Sequence, residues 1–486
     1  MSRSPSQWWE HIHAHTDARA LALFRIVVGA LFFYEIGFYL NINLVDMGLV
    51  GPKLLFPYDG LEWIRPLGKG SMDAILGGLG IAALMIGAGL LYRFAIAYFL
   101  VAYLYILLLD RANFNNHFYL FVLVSFLLCL SPANRAWSID RLLFKKRMRV
   151  EGAPRWCWLI LRAQIVIVYF YGGIAKLNAD WLGRMEPMRS ALDAAAKGNS
   201  MEDLLTSTPM LWLFTYGGFL FDLFIGPLLW WKRTRLYALP LVIFFNLANH
   251  FLFDDIGVFP FFMMAATILF FDPEEIARFF GAKKDVARGR KQETPAVEER
   301  RWRPLVTSVL AVYLVFQLLF PLRWVLLPGD VDWSTIGQRF SWRMKISTRN
   351  PQQIAFFVRD DDAGIKRPVE LTRFINNVQT MLTAYDPRAT IRFARWLKEE
   401  MHRRGTKQVR ITSETIISHN GRPFRYYFAP EEDLSVIDPD LAHPERWVPP
   451  AEAGPEHAVD PKVLFEIERR RIVPPPRPQR RQQSRP

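Results

Sequence analysis

The chain has 486 residues, 51% of them hydrophobic and 14% aromatic, with a mean hydropathy of only +0.08, and the apolar residues crowd into the first two thirds. That unevenness marks a membrane protein with a soluble appendage. A formal charge of +14 would suit a nucleic-acid partner, but Lys and Arg gather in a few loops between hydrophobic runs, which membrane topology explains better. The two cysteines, Cys129 and Cys157, both fall in apolar segments, so neither a disulfide framework nor cysteine chemistry is expected.

In chain order, residues 1–17 ("MSRSPSQWWEHIHAHTD") are polar and aromatic, without the basic, apolar and small-residue sequence of a cleaved signal. The first hydrophobic run is therefore expected to stay in the protein. Apolar runs follow at 18–40, 72–91, 94–109, 117–132, 157–174, 210–231, 236–252, 256–272 and 304–326. This pattern predicts an all-α polytopic membrane domain of about nine transmembrane helices over 18–326. Basic residues test the count, because Lys and Arg in short loops stay cytoplasmic. Twenty fall on the side of "RLLFKKRMR" and eight, spread over long loops, on the other. The N-terminus is thus predicted to be cytoplasmic and the region after 326 periplasmic or luminal.

The third run supplies about 24 Å of helix at ~1.5 Å per residue, short of a hydrocarbon core of about 30 Å. Its connection to the fourth, "DRANFNNHFYL", carries Asp110, Arg111, Asn113, Asn115, Asn116 and His117. It reads either as a surface turn or as a polar dip facing protein or trapped water.

Residues 327–440 predict a small extracytoplasmic α+β domain, with strands at 353–359 and 407–417, helices near 371–382 and 387–404, and an Asn420-Gly421 turn. From 441 to 486 the chain turns Pro- and Arg-rich, a composition of disorder relieved by a short helix around "VLFEIERRR". No internal repeat is visible.

Arg25 and Glu35 in the first run, Arg162 and Gln164 in the fifth and Asp222 in the sixth are groups that a purely structural span avoids. Each charge costs about 2.5–3.5 kcal/mol unless paired or wet. Arg25, Glu35 and Asp222 read first as internal ion-pair glue. Arg162 and Gln164 share the helix that delivers Lys176. Gly172-Gly173 and Gly217-Gly218 permit close helix approach. Lys176, in "YFYGGIAKLNADWLG", has two readings: a snorkelling anchor, or a lysine held in a dry pocket where desolvation leaves a neutral, usable amine. The adjacent Asn178, Asp180 and Trp181 form a polar-aromatic cluster. There is no phosphate loop, HExxH or zinc spacing, the "HIHAH" stretch is too short to carry a metal reading, and no metal is expected.

"NNHFYL", "LRAQIVIVYFYGGIAKLNADW" and "LALFRIVVG" resemble the vitamin K-dependent gamma-glutamyl carboxylases and their bacterial relatives with a horizontally transferred transmembrane (HTTM) domain. "FPYDGLEWIRPL", "GGFLFDL", "NHFLFDDIGVFPF" and "WSTIGQRFSWRMKI" fall in the family's order, extending the likeness over about 18–440. The resemblance implies a lyase-type enzyme in which Lys176 deprotonates a reduced vitamin K-type quinone such as menaquinol or phylloquinol. Oxygenation then gives an alkoxide that removes a glutamyl γ-proton, CO2 adds to the carbanion, and the quinone leaves as its epoxide. His117, with Asn115 and Asn116, is implied in the same chemistry, and Trp181 beside the base is expected to contact the quinone. Arg162 and Gln164 are expected to line or brace the pocket.

Ala175 stands where the animal enzymes carry a second lysine, Asn178 replaces an aspartate, and the luminal region is shorter. The resemblance therefore reaches the chemistry further than it reaches a propeptide-bearing substrate. The expected partners are membrane lipids, a lipid quinone and a glutamate-containing protein or peptide, with no nucleic acid; the expected location is a bacterial inner membrane. The alternatives are a quinol epoxidase without carboxylation, a transporter or lipid-binding protein of the same fold, and a scaffold that recruits a partner through its soluble domain.

Overall fold

The computed structural model describes residues 5–145, 152–198, 200–253, 256–281, 297–362, 364–450 and 454–472. The chain divides into two compact units, one formed by Met1–Leu327, Ile336–Ile346 and Phe374–Val378, the other by Pro328–Thr335, Ser347–Arg373 and Gln379–Pro486.

The first unit is built from nine apolar helices among the described residues. They are α1 (Arg19–Asn41), α2 (Lys69–Ala88), α3 (Tyr92–Leu109), α4 (Asn116–Leu130), α5 (Arg155–Ala175), α6 (Thr208–Trp230), α7 (Arg235–Leu252), α8 (Phe259–Phe270) and α9 (Arg301–Leu326). Seven are long and apolar enough to cross a membrane, and α4 and α8 are shorter. Their lengths have local causes. Asn115 is extended, with φ −136°, and starts α4 abruptly. At α8, Gly257 at φ +50° turns the chain and Pro260 sits in the first turn. The expected nine crossings are therefore seven full-length helices and two short ones.

The polar connection between α3 and α4 is not a surface turn. Asp110 and Arg111 are 0% and 3% exposed, the Asp110 side chain accepts from Ala112 N at 2.8 Å, and Arg111 N donates to Phe56 O at 2.8 Å. Buried backbone away from water needs such partners.

Small residues decide which helices touch. A Cβ on Gly29 of α1 would sit 2.5 Å from Gly87 N of α2, and one on Gly173 of α5 would sit 2.9 Å from Leu223 N of α6. Without solvent to drive helices together in lipid, such close backbone contact is what dispersion rewards. Gly217 and Gly218 have only ordinary contact distances, so of the two glycine pairs singled out in the sequence it is the α5 pair that sets the approach. Arg25 behaves as internal glue, fully buried and donating to Trp137 O at 2.6 Å.

The second unit holds two three-stranded antiparallel sheets. One has the order β3 (Arg349–Gln353), β7 (Ile416–His419), β8 (Arg425–Tyr426); the other has β5 (Ile365–Pro368), β4 (Phe356–Asp360), β6 (Val409–Ser413). The remaining strands, β1 (His15–Asp17) and β2 (Gly152–Pro154), pair in the first unit. The helix Pro387–Arg403 buries Ala389, Ile391, Phe393, Ala394 and Leu397 completely, with Phe393 edge-on to Phe356 of β4 at 4.9 Å. Asn420 and Gly421 both have positive φ, 47° and 68°, and Arg422 N donates to His419 O at 3.0 Å, closing the two-residue turn between β7 and β8.

The segment read as disordered from 441 onward is corrected in its first part. Trp447 is buried, and the carbonyls of Pro449 and Pro450 accept from Trp333 and Arg425. The short helix is present as Pro461–Ile472, while 473–486 lie outside the described residues.

A candidate active site at the end of α5

The end of α5 is shaped by its own sequence. Lys176 is the C-terminal cap, its N–H donating to Gly173 O at 3.0 Å, and the chain then reverses through Asn178. The Asn178 amide donates to Ala175 O at 2.9 Å while its oxygen accepts from Trp181 N at 2.8 Å, so one side chain closes one helix and starts the next turn. This brings the Trp181 indole under the Lys176 ammonium, 4.9 Å from ring centre to Nζ, and Trp181 Nε1 is fixed by Thr215 O at 2.9 Å.

Lys176 does not snorkel. It is 6% exposed, its Nζ donates to Gly172 O at 3.3 Å, and it forms an ion pair with Asp222 Oδ2 of α6. The close approach at Gly173 makes this pair possible. The amine also has a carboxylate partner, which the reading of a dry pocket did not include.

His117 lies in the first turn of α4. Its Nε2 is 3.6 Å from Glu35 Oε1 of α1, its ring stands edge-on to Phe118 at 4.3 Å, and its Nδ1 is buried with no partner among the described residues. Asn116 Oδ1 is likewise buried and unpartnered there.

These groups converge on one cavity, open on one side, with about 940 Å³ of empty space when the adjoining solvent is included. Asn115, Asn116, His117, Lys176, Trp181 and Asp222 all line it, and Phe214, Phe245, Phe253, Phe259 and Met263 supply much of the apolar wall. A concave, mostly apolar chamber with a few convergent polar groups is the usual form of a small-molecule site.

Arg162 and Gln164 are not brought to this cavity. Fourteen residues separate Arg162 from Lys176, about 21 Å of helix at ~1.5 Å per residue. Arg162 Nε donates to Leu269 O and its outer nitrogen to Phe271 O at 2.7 Å, and the guanidinium lies 5.7 Å from the Trp158 ring centre. Gln164 Oε1 accepts from Tyr313 of α9 at 2.6 Å. Both brace helices instead of lining the chamber.

Sequence reasoning missed Asp222 and Glu35 as site residues, reading them as glue. A ledger of buried charges offers a signal: Lys176 and His117 each need a partner at depth, and few carboxylates lie in the runs. Asn246, Asn249 and Lys345 also line the cavity without having been singled out. Among the described residues no group of three or more His, Cys, Asp or Glu side chains is arranged to hold a metal.

Comparison with known families gives two matches. The HTTM domain family matches residues 13–274, and the family of the vitamin K-dependent gamma-carboxylase luminal domain matches residues 302–454. No solved structure matches the chain.

Proposed function

The chain belongs to the vitamin K-dependent gamma-carboxylase family, with an HTTM membrane domain, and from that premise we propose that the cavity at the end of α5 couples oxidation of a lipid quinol to γ-carboxylation of glutamyl side chains. The observation that carries the reading is the convergence of Lys176, His117, Asn115 and Asn116 on one apolar-walled chamber.

The chamber fits a quinol. Aromatic walls suit a fused ring, and Asn116 Oδ1 and His117 Nδ1, buried and without a partner among the described residues, are two polar atoms that the hydroxyls of a quinol can satisfy. With O2 and CO2, a reduced vitamin K-type quinone held there would supply the strong base that carboxylation of a glutamyl γ-carbon requires. The chain's own residues do the rest. Lys176 takes the hydroxyl proton, and Trp181 covers its ammonium as a cation–π platform. His117 and Asn116 orient the ring, Asn115 sets the start of α4, and the phenylalanine wall keeps water away from a reacting carbanion. On this reading the N-terminus is cytoplasmic, the second unit is periplasmic, the host membrane is a bacterial inner membrane, and the substrate is a glutamate-bearing protein or peptide.

The test is a reaction of purified protein with phylloquinol, O2, bicarbonate and a glutamyl peptide. Quinone epoxide and fixed CO2 are expected from the wild type and neither from Lys176→Ala. Epoxide without fixed CO2 identifies a quinol epoxidase. Neither product from the wild type, with Lys176→Ala indistinguishable from it, ends the proposal.

A further inference from the structure

A lysine paired with a carboxylate as an ammonium has three N–H donors and no lone pair, and in that form it is not a base. It becomes one only by giving a proton away. Its Nζ is hydrogen-bonded to Asp222 Oδ2, and the two side chains are 8% and 7% exposed. Asp222 is the one carboxylate among the described residues that line the cavity; the other titratable lining groups are His117, which has Glu35 behind it, Tyr169 and Lys345. Gly172 presses the same place: a Cβ there would come within 3.1 Å of Asp222 Oδ2, so α5 carries hydrogen where any side chain would crowd the carboxylate.

From this arrangement we infer that Asp222 is the final acceptor of the proton that Lys176 removes, an inference that rests on the reading of the cavity as a quinol site. Lys176 passes one N–H proton to Asp222 Oδ2 and takes the ligand's hydroxyl proton in its place. One O–H bond breaks and one forms, and Lys176 ends as the ammonium it began as. The negative charge moves from the Asp222 carboxylate to the ligand oxygen, which the same ammonium faces. No net charge is created among side chains that are themselves 8% and 7% exposed, which is what a site poor in water requires. Asp222 acts through Lys176 and is a positioning and proton-accepting residue.

The experiment uses infrared difference spectroscopy on the full-length protein labelled with carbon-13 aspartate. Phylloquinol is compared with oxidised phylloquinone without O2 or CO2, while binding of radiolabelled phylloquinol is measured in parallel. A protonated-carboxyl C=O band is expected to grow with phylloquinol, to shift with the label, to vanish in Asp222→Asn and to return in Asp222→Glu. In turnover, Asp222→Asn is expected to lose about 100-fold or more in kcat with KM little changed. Bound phylloquinol without the band, or a band that persists in Asp222→Asn, overturns the inference and leaves the proposed function standing. Failure of wild-type protein to bind phylloquinol overturns both. If Asp222→Asn does not fold, Asp222→Glu makes the assignment, because its band no longer shifts with the aspartate label; a band that still shifts overturns the inference.

Discussion

Glu35 Oε1 lies 3.6 Å from His117 Nε2, with both side chains about 4% exposed, although the two residues come from helices far apart in the chain. A carboxylate beside one imidazole nitrogen favours one orientation of the ring and turns the other nitrogen, Nδ1, to a place where it has no partner among the described residues. Glu35→Gln is expected to reduce quinol oxidation by about 100-fold, the scale of a misplaced proton-handling group. Steady-state kinetics on phylloquinol check this, and an unchanged kcat removes Glu35 from the site.

The Lys176–Asp222 pair makes opposite demands on single and double variants. Lys176→Met leaves a buried carboxylate alone and is expected to cost about 3–5 kcal/mol, as breaking a buried pair does. Lys176→Met with Asp222→Leu removes both charges and is expected to recover most of that stability while remaining inactive. Thermal melting of the three proteins in the same detergent measures the difference.

Arg162 separates bracing from binding. It ties α5 to the carbonyls of Leu269 and Phe271 at the end of α8. Arg162→Met is expected to lower the melting temperature while leaving the affinity for phylloquinol within about threefold of wild type, since a structural arginine acts through packing and hydrogen bonds. Binding titrations beside melting curves check the split.

The N-terminal helix Pro5–His13 carries a pH dependence. His13 Nε2 meets Thr307 Oγ1 at 2.9 Å, and burial, helped by Arg303 and opposed by Glu10, holds its pKa below 6.5. A depressed histidine binds fewer protons folded than unfolded, so its contribution is whole above about pH 6.5 and fades as pH falls below that value toward the folded pKa. Protection of residues 5–13 against hydrogen exchange, corrected for the intrinsic rate at each pH, is expected to be high at neutral pH and lower in mild acid. His13→Gln is expected to flatten the dependence.

The turn Asn420-Gly421 tests the second unit. Both residues hold positive φ, and Gly421→Val places a β-branched side chain in that region, at a cost of about 1–2 kcal/mol. Asn420→Gly keeps the conformation accessible. Limited proteolysis across β7 and β8 is expected to speed up for the first variant and not for the second.

Much of this architecture was legible without coordinates. Long apolar runs, interrupted by loops with basic residues on alternate sides, dictate helices in a membrane because backbone polar groups cannot go unpaired in lipid. That argument needs only local sequence. The α+β character of the second unit and the Asn420-Gly421 turn were equally local, since alternation and turn chemistry act over a few residues. The shape at Lys176 is local too, since Asn178 bonds partners within three residues of itself, but the sequence alone reads there only as a polar-aromatic cluster.

Pairing across helices was not legible. That Asp222 meets Lys176 and Glu35 meets His117 depends on which helix faces belong together, and glycines on those faces, read as tolerant in one dimension, become contact points only once two helices cross. The same limit misplaced Arg162 and Gln164, for a shared helix says nothing of depth until ~1.5 Å per residue is counted along it. Sequence alone determined the apolar runs and the turns and offered Lys176 as a candidate; tertiary structure decided that it is buried and chose its counter-ion, because Coulomb attraction depends on distance in space and the chain records only distance along itself.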